Sequence, residues 1–185
     1  PEFVESKMAD ADSGEKYDSA SDVLKKSVFT AADFGTLAHS YLEMQTKGIK
    51  AEDYEPDSKL LKNLSESQVE KAKADCIRFC HEFEQCELGL KVENAKKKKL
   101  FIRAEWAFRM FYKDAIFTGS IDLIFENDDN SYTIVDYKSD NQIDESKYEE
   151  QQKAYRYAAS KILKTDEAKI SNYLYFLKHK KIVKL

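Results

Sequence analysis

An aspartate and a lysine two residues apart close a β-forming stretch in the second half of the chain. Side chains alternate between the faces of a strand, so Asp136 and Lys138 point to the same side and can meet one small ligand together. A second carboxylate, Asp122, stands among apolar neighbours, where burial of an unpaired charge is costly. Two carboxylates that approach each other repel unless a divalent cation such as Mg²⁺ lies between them. The residues therefore predict a metal site that activates water, with Lys138 orienting that water or stabilising the transition state.

The elements that must position these residues are strands. Three segments rich in β-branched and aromatic residues have the required pattern: residues 100–113, 115–126 and 132–138. The Asn-Asp-Asp-Asn stretch between the last two predicts a turn. If these two strands pair through the turn, Asp122 can lie near Asp136.

Helical periodicity surrounds the strands. The predicted helices cover residues 31–46, 66–88 and 147–163, and a last strand covers 170–177. Thr30 or Asp33 is expected to cap the first helix, and Gly89 is expected to stop the second. The order of helix, helix, three strands, helix and strand predicts an α/β fold with a mostly antiparallel sheet.

Composition limits the class of protein. The 185 residues suffice for one domain, which we place at 28–185 after a polar, flexible tail or linker at 1–27. The net charge of −4 counts mildly against a protein that only coats nucleic acid. The three cysteines form no even-numbered disulfide framework, which favours a reducing compartment. No apolar run is long enough for a membrane span and no secretory pattern is visible, so a cytoplasmic location away from membranes is expected.

Asp122 and the Asp136-Tyr137-Lys138 segment resemble the PD-(D/E)XK nucleases, in particular the RecB/AddA branch, whose nuclease domains are fused to recombination helicases. Further segments are similar to that branch in order and spacing: Gly35-Thr36-Leu37-Ala38-His39, Glu105, Gly119-Ser120-Ile121-Asp122, Gln151 with Tyr155, and the final segment 172–177. The proline of the family name is Ile121 here, as is common in this branch. The resemblance covers about residues 30–180 and implies a restriction-endonuclease-like core, a mixed central sheet flanked by helices.

The resemblance also implies a role for each matching position. The residues that would bind Mg²⁺ or Mn²⁺ are His39, Asp122, Asp136 and, through its backbone carbonyl, Tyr137. Lys138 would be the catalytic lysine, while Gln151 and Tyr155 would brace the site or contact the DNA backbone. Glu105 would contact the metal through water or face solvent.

The activity that the resemblance implies is hydrolysis of DNA, with exonuclease action on single-stranded ends, in the nuclease domain of an AddA/RecB-type helicase–nuclease that repairs double-strand breaks by recombination. The implied partners are DNA, the helicase portion of the same polypeptide and a second, AddB-like subunit. No cysteine follows Cys86, so the iron–sulphur cluster of some relatives is not expected. No Gly-x-x-x-x-Gly-Lys loop occurs, so no ATP site is expected.

Other interpretations of these residues stay open. Asp136 and Lys138 can form a surface ion pair, and His39 can be a structural histidine. The lysines at 96–99 can form a solvated loop or can hold DNA phosphates, as can Lys178, Lys180 and Lys181. Cys76 and Cys80 suit core packing better than metal binding. The alternative functions are a stand-alone nuclease of the same fold with another nucleic-acid substrate, and a non-catalytic module that binds DNA or a protein.

Overall fold

The computed structural model describes residues 29–112 and 115–185. The tail predicted for residues 1–27 lies outside the described residues. The helices are α1 (Ala31–Thr46), α2 (Glu66–Gln85), α3 (Glu87–Lys97) and α4 (Glu149–Leu163). The strands are β1 (Ile102–Tyr112), β2 (Ala115–Glu126), β3 (Tyr132–Lys138), β4 (Ile170–Phe176) and β5 (Lys181–Lys184).

The strands form one sheet in the order β1-β2-β3-β4-β5. Every neighbouring pair is antiparallel except β3 and β4, which run parallel. A parallel pair needs a long crossover, and here α4 makes it. The expected fold class, a mixed sheet flanked by helices, is confirmed. None of the helices within the described ranges combines the length and apolar character needed to cross a membrane.

Two apolar clusters cover the sheet, one on each side. We call the side packed against the first three helices the α1–α3 face; its buried members include Leu37, Leu42, Phe79, Leu88, Leu123, Val135 and Tyr137. We call the other side the α4 face; its buried members include Phe108, Ile124, Ile134, Tyr155, Ala158 and Ala159. Alternation along β3 distributes Val135 to the first cluster and Ile134 to the second, as a strand buried on both faces requires.

The helix predicted over residues 66–88 is instead two helices, and the prediction that Gly89 stops it is wrong. The extended backbone of Cys86 ends α2 and begins α3. A Cβ atom on Gly89 would lie 1.9 Å from the backbone oxygen of Phe83. Gly89 therefore allows α3 to pack closely against the last turn of α2.

Two smaller differences concern the lysine-rich segments. Lys96 and Lys97, expected in a loop, form the last turn of α3, where positive charge suits the helix dipole. The four-residue strand β5 was not expected; it pairs with β4 and places Lys181 opposite Phe176. It completes the edge of the sheet beside the parallel pair.

Candidate active site

The strands β2 and β3 separate where the two acidic residues lie. Their pairing ends with Leu123 opposite Val135, and the same register would next place Asp122 opposite Asp136. Instead of a strand pair, the backbone N–H of Tyr137 donates a hydrogen bond to Asp122 Oδ2 at 2.7 Å. Asp122 is 9% exposed and Asp136 is 3% exposed, so both carboxylates are buried in this opening.

Helix α1 approaches the opening from the side. Its start is fixed by a capping box, in which Thr30 and Asp33 satisfy each other's backbone N–H groups. A Cβ atom on Gly35 would lie 3.0 Å from Ser139 Oγ, so glycine allows α1 to pass close to the end of β3. One turn later, His39 reaches the site. The sequence motif from Gly35 to His39 thus combines a close helix approach with a delivered imidazole.

His39 contacts Tyr137 and Asp122, two of the three residues with which it was predicted to bind a metal ion. Its Nε2 lies 3.0 Å from the backbone oxygen of Tyr137, and its Nδ1 lies 3.6 Å from Asp122 Oδ1. Nδ1 is also 3.8 Å from Glu105 Oε1. Ligand atoms of His39, Glu105 and Asp122 all lie within 4.8 Å of one another.

Glu105 belongs to this cluster through an unusual backbone conformation. Its φ angle is +44°, in the left-handed region that non-glycine residues rarely adopt inside a strand. Its Oε2 accepts a hydrogen bond from Ser120 Oγ at 3.0 Å. Strain of this kind concentrates at functional sites, where the surrounding structure holds it in place. Glu105 therefore faces the site, although its side chain remains about one-third exposed, at 33%.

The electrostatics of the cluster favour an added positive charge. Burial and the neighbouring Asp136 and Glu105 raise the pKa of Asp122 to about 8, although His39 opposes the shift. Burial disfavours protonated His39, but Asp122, Glu105 and Asp136 together raise its pKa to about 9. The hydrogen bond with His39 lowers the pKa of Glu105. Imidazole and carboxylate donors that hold extra protons at neutral pH fit a divalent cation, which supplies the same positive charge.

Lys138 lies on the same side of β3 as Asp136, as the alternation predicts. Its Nζ is 2.9 Å from Asp136 Oδ2 and donates to Gln151 Oε1 at 3.3 Å. The ammonium also lies 3.8 Å from the centre of the Tyr148 ring. Its side chain is 13% exposed, so this is a largely buried ion pair rather than a solvated one. Gln151 thus contacts the predicted catalytic lysine directly.

Tyr155 lies farther from the cluster, packed in the α4 face. Its ring is perpendicular to that of Phe108, with centroids 5.8 Å apart. A Cβ atom on Gly119 would lie 3.2 Å from Tyr155 Cε1, so glycine at this position makes room for the ring. Burial raises the pKa of Tyr155 well above its usual range. Its contacts are those of an aromatic ring packed in the core, and a DNA contact stays a prediction.

Sequence reasoning missed three polar residues behind the site: Gln152, Asn172 and Arg156. Gln152 Nε2 donates to Asp136 Oδ2 at 2.6 Å. Asn172 in turn donates to Gln152, and Arg156 donates to Asn172. A signal existed, because Gln152 shares the buried face of α4 with Ala158 and Ala159, where an uncharged polar side chain needs a partner.

The outlying lysines have local neighbours. Lys96 donates to the backbone oxygen of Gln45 at 3.1 Å, and Lys180 lies 2.9 Å from Glu82. Cys76 and Cys80 are both buried in the α1–α3 face, in agreement with core packing.

The comparisons with known proteins agree with the geometry. No curated protein sequence gives a significant match. A family model for the PD-(D/E)XK nuclease superfamily matches residues 16–184, nearly the whole chain. Members of that superfamily are generally metal-dependent nucleases that use divalent ions, typically Mg²⁺, and the cluster of His39, Glu105 and Asp122 fits such a site. The chain belongs to the PD-(D/E)XK nuclease superfamily.

Proposed function

We propose that this domain hydrolyses DNA phosphodiester bonds with the aid of Mg²⁺ or Mn²⁺, and that it acts as an exonuclease on single-stranded ends. The observation that carries the proposal is the meeting of His39, Asp122, Asp136 and Lys138 at one opening between β2 and β3. A module that only binds DNA or a protein would have no need to keep all four. The buried charges cost folding free energy, which favours their use in a reaction.

Four residues of the site are assigned to cation binding in this proposal. His39, Asp122, Asp136 and the backbone carbonyl of Tyr137 would hold the cation, and Glu105 lies close enough to take part. A bound divalent ion lowers the pKa of a coordinated water and offsets charge on a phosphoryl oxygen.

The ammonium of Lys138 is held between Asp136 and Gln151, which fixes where its N–H groups point. A donor fixed in this way can orient the attacking water and stabilise the negative charge that develops on the phosphate. Gln151 holds the amine from the α4 side, and the Tyr148 ring covers it. The position of the Lys138 ammonium is therefore set by side chains of this protein, without a bound cation.

The biological setting of the proposal is an AddA/RecB-type helicase–nuclease that processes double-strand breaks for recombination in the cytoplasm. The helicase portion of the same polypeptide would supply the DNA strand, and an AddB-like subunit would complete the complex. Support comes from the RecB/AddA-like order of the Gly35–His39 helix segment, the Asp136-Tyr137-Lys138 strand and the Gln151–Tyr155 helix pair.

The test is a cleavage assay with the full chain and DNA labelled at either end, single-stranded or double-stranded, in Mg²⁺, Mn²⁺ or EDTA. We expect metal-dependent shortening from an end, with the product ladder giving the polarity. Lys138→Ala should lower the rate by at least about 10²-fold, because a positioned donor to the transition state is lost.

Lys62→Ala, which changes an exposed lysine away from the site, is the matched control and should cleave at the normal rate. Equal rates for Lys138→Ala and Lys62→Ala would refute the assigned role of Lys138. Cutting of circular single-stranded DNA would refute exonuclease action, and cutting of RNA alone would refute the DNA substrate.

A further inference from the structure

We propose that Arg156, Asn172 and Gln152 form a directional hydrogen-bond chain, here called the amide chain, that orients the carboxylate of Asp136. The inference rests on the proposed function, in which Asp136 is a metal ligand. It assigns Gln152 as a positioning residue that acts through Asp136, and it extends the site to a half-buried arginine, Arg156, one helical turn farther along α4.

The amide chain begins at Arg156 and ends at the site. Arg156 Nε donates to Asn172 Oδ1 at 3.1 Å. Asn172 Nδ2 donates to Gln152 Oε1 at 2.8 Å, and also to the backbone oxygen of Gln152 at 3.0 Å. Gln152 Nε2 then donates to Asp136 Oδ2 at 2.6 Å. Gln152 is 2% exposed and Asn172 is 0% exposed, so water does not compete freely for these bonds.

The two ends fix the direction of the chain. A guanidinium group only donates hydrogen bonds, and an ionised carboxylate only accepts them. Each amide between them has one donating and one accepting end, so Asn172 and Gln152 have a single orientation that satisfies both neighbours. If either amide turned over, two oxygens would face each other inside the core, which is costly. Arg156 thereby ensures that an N–H group meets Asp136.

The orientation has a consequence for the site. Gln152 and Lys138 both hold the same oxygen of Asp136, Oδ2. Both donors therefore bond to Oδ2, and neither bonds to Oδ1. Asp136 cannot rotate freely about its last bond without breaking both contacts. The amide chain and Lys138 together fix a buried carboxylate in one pose before any cation binds.

A role limited to stability makes a different prediction, and a pair of Asn172 variants separates the two. In Asn172→Asp, the introduced carboxylate accepts from both Arg156 and Gln152, so the Gln152 amide turns over and presents its oxygen to Asp136. In Asn172→Leu, Gln152 loses a partner but can keep Nε2 on Asp136. We expect Asn172→Asp to lower kcat by about 10- to 10²-fold, as for a misplaced catalytic group, and Asn172→Leu to lower it less.

The metal-free protein gives a readout that needs no nuclease activity. In NMR spectra recorded with EDTA, the side-chain N–H that bonds to Asp136 should be shifted downfield and should exchange slowly with solvent. The signal should survive in Asn172→Leu and be lost in Asn172→Asp, and Mn²⁺ affinity measured by calorimetry should fall in Asn172→Asp alone. An ordinary, fast-exchanging Gln152 signal in the unmodified protein would overturn the inference. The expected signal in a protein that cleaves nothing would support the orientation and refute the proposed nuclease function instead.

Arg156 provides a second test if Asn172→Asp does not fold. Arg156→Met removes the donor that sets the direction, whereas Arg156→Lys keeps one. We expect kcat to fall several-fold in the Met variant, with recovery in the Lys variant and an unchanged KM for DNA in both. Ser160→Ala, which removes a part-buried hydrogen bond within α4, controls for general loss of stability and should keep its kcat. Equal kcat values for the Met and unmodified proteins, or a change in KM alone, would contradict the proposal.

Discussion

The α1–α3 face of the sheet is covered almost entirely by apolar side chains, whereas the α4 face also buries a connected series of polar ones. On the first face, large residues such as Phe79 and Leu88 pack around two buried cysteines. On the second, the buried Asp136 connects through Gln152 to Asn172. The strand β3 lies between them and contributes side chains to both faces.

The difference shows where the fold gains stability and where it gives some up. Apolar burial contributes about 25 cal/mol for each Å² removed from water, whereas a buried carboxylate is a cost unless it is paired. The left-handed backbone conformation of Glu105 adds strain, which also lowers the stability of the fold. We therefore expect substitutions on the α1–α3 face to change stability, and substitutions around β2 and β3 at the site to change activity.

The largest effect should come from Asp122→Asn. The amide oxygen can still accept from the backbone N–H of Tyr137, but the negative charge that holds the cation in the proposed function is gone. Since a metal contributes several kcal/mol to the transition state, turnover should fall by at least about 10²-fold.

The same change should raise the melting temperature of the metal-free protein at pH 8 and above. Burial raises the pKa of Asp122 to about 8, so above this pH the carboxylate ionises in the core at a cost that the asparagine variant avoids. Cleavage rates and melting curves in EDTA measure the two effects. A variant that loses both activity and stability would show that Asp122 also supports the fold.

Leu88→Ala should produce the opposite pattern. Leu88 is 0% exposed within the α1–α3 face, so its truncation should lower the free energy of unfolding by about 2–5 kcal/mol. Activity for each folded molecule should stay unchanged, since Leu88 lies on α3, which supplies none of the site residues described above.

The matched control is Leu90→Ala on the same helix, where the side chain is 61% exposed and the expected change is within about 0.5 kcal/mol. Urea unfolding and single-turnover cleavage check these values. A loss of activity in folded Leu88→Ala would break the separation of the two faces.

Sequence patterns predicted the site residues better than the contacts between helices and strands that hold those residues in place. Periodicity and the resemblance together predicted His39, Asp122, Asp136 and Lys138 as site residues, because strand alternation and local motifs involve residues close in the chain, and the structure places all four at the opening between β2 and β3. The helix break at Cys86 escaped prediction because Gly89 serves a contact with Phe83, not a turn.

The amide chain escaped for a related reason. Asn172 meets Gln152 only because β4 returns parallel to β3 and α4 crosses over both strands. No spacing rule within one element encodes that meeting. Contacts between elements therefore form the part of the site that sequence patterns predict least.

A smaller effect is expected from pH. His39 has a pKa of about 9 in the folded protein against an ordinary value of 6.5, so its contribution to stability is complete below pH 6.5 and is lost as the pH rises through 9. Asp122, whose pKa is also raised, to about 8, changes in the same direction. The melting temperature in EDTA should therefore fall between pH 6.5 and 9, while Mg²⁺ affinity rises because the metal displaces these protons.

Two histidine variants test the assignment of this pH dependence. His39→Gln should reduce, without abolishing, the fall of the melting temperature between pH 6.5 and 9, since the proton linkage of His39 is removed and that of Asp122 remains. His81→Gln, at an exposed histidine that pairs with Glu52, should leave it unchanged. A melting temperature that rises with pH would contradict the expectation.

The smallest effect should come from Tyr137→Phe, at the residue where the two faces meet. The backbone of Tyr137 belongs to the site, but its ring packs edge-on against Phe83 in the α1–α3 face, and its buried hydroxyl has no hydrogen-bond partner within the described ranges. Removing an unsatisfied buried hydroxyl should leave stability unchanged or raise it by about 1 kcal/mol, with kcat unchanged. Tyr148→Phe, which removes a hydroxyl that donates to Asp140 Oδ2 at 2.9 Å, should lose about 1 kcal/mol instead. Loss of activity in Tyr137→Phe would mean that side chain and backbone act together, and that the two faces cannot be separated at β3.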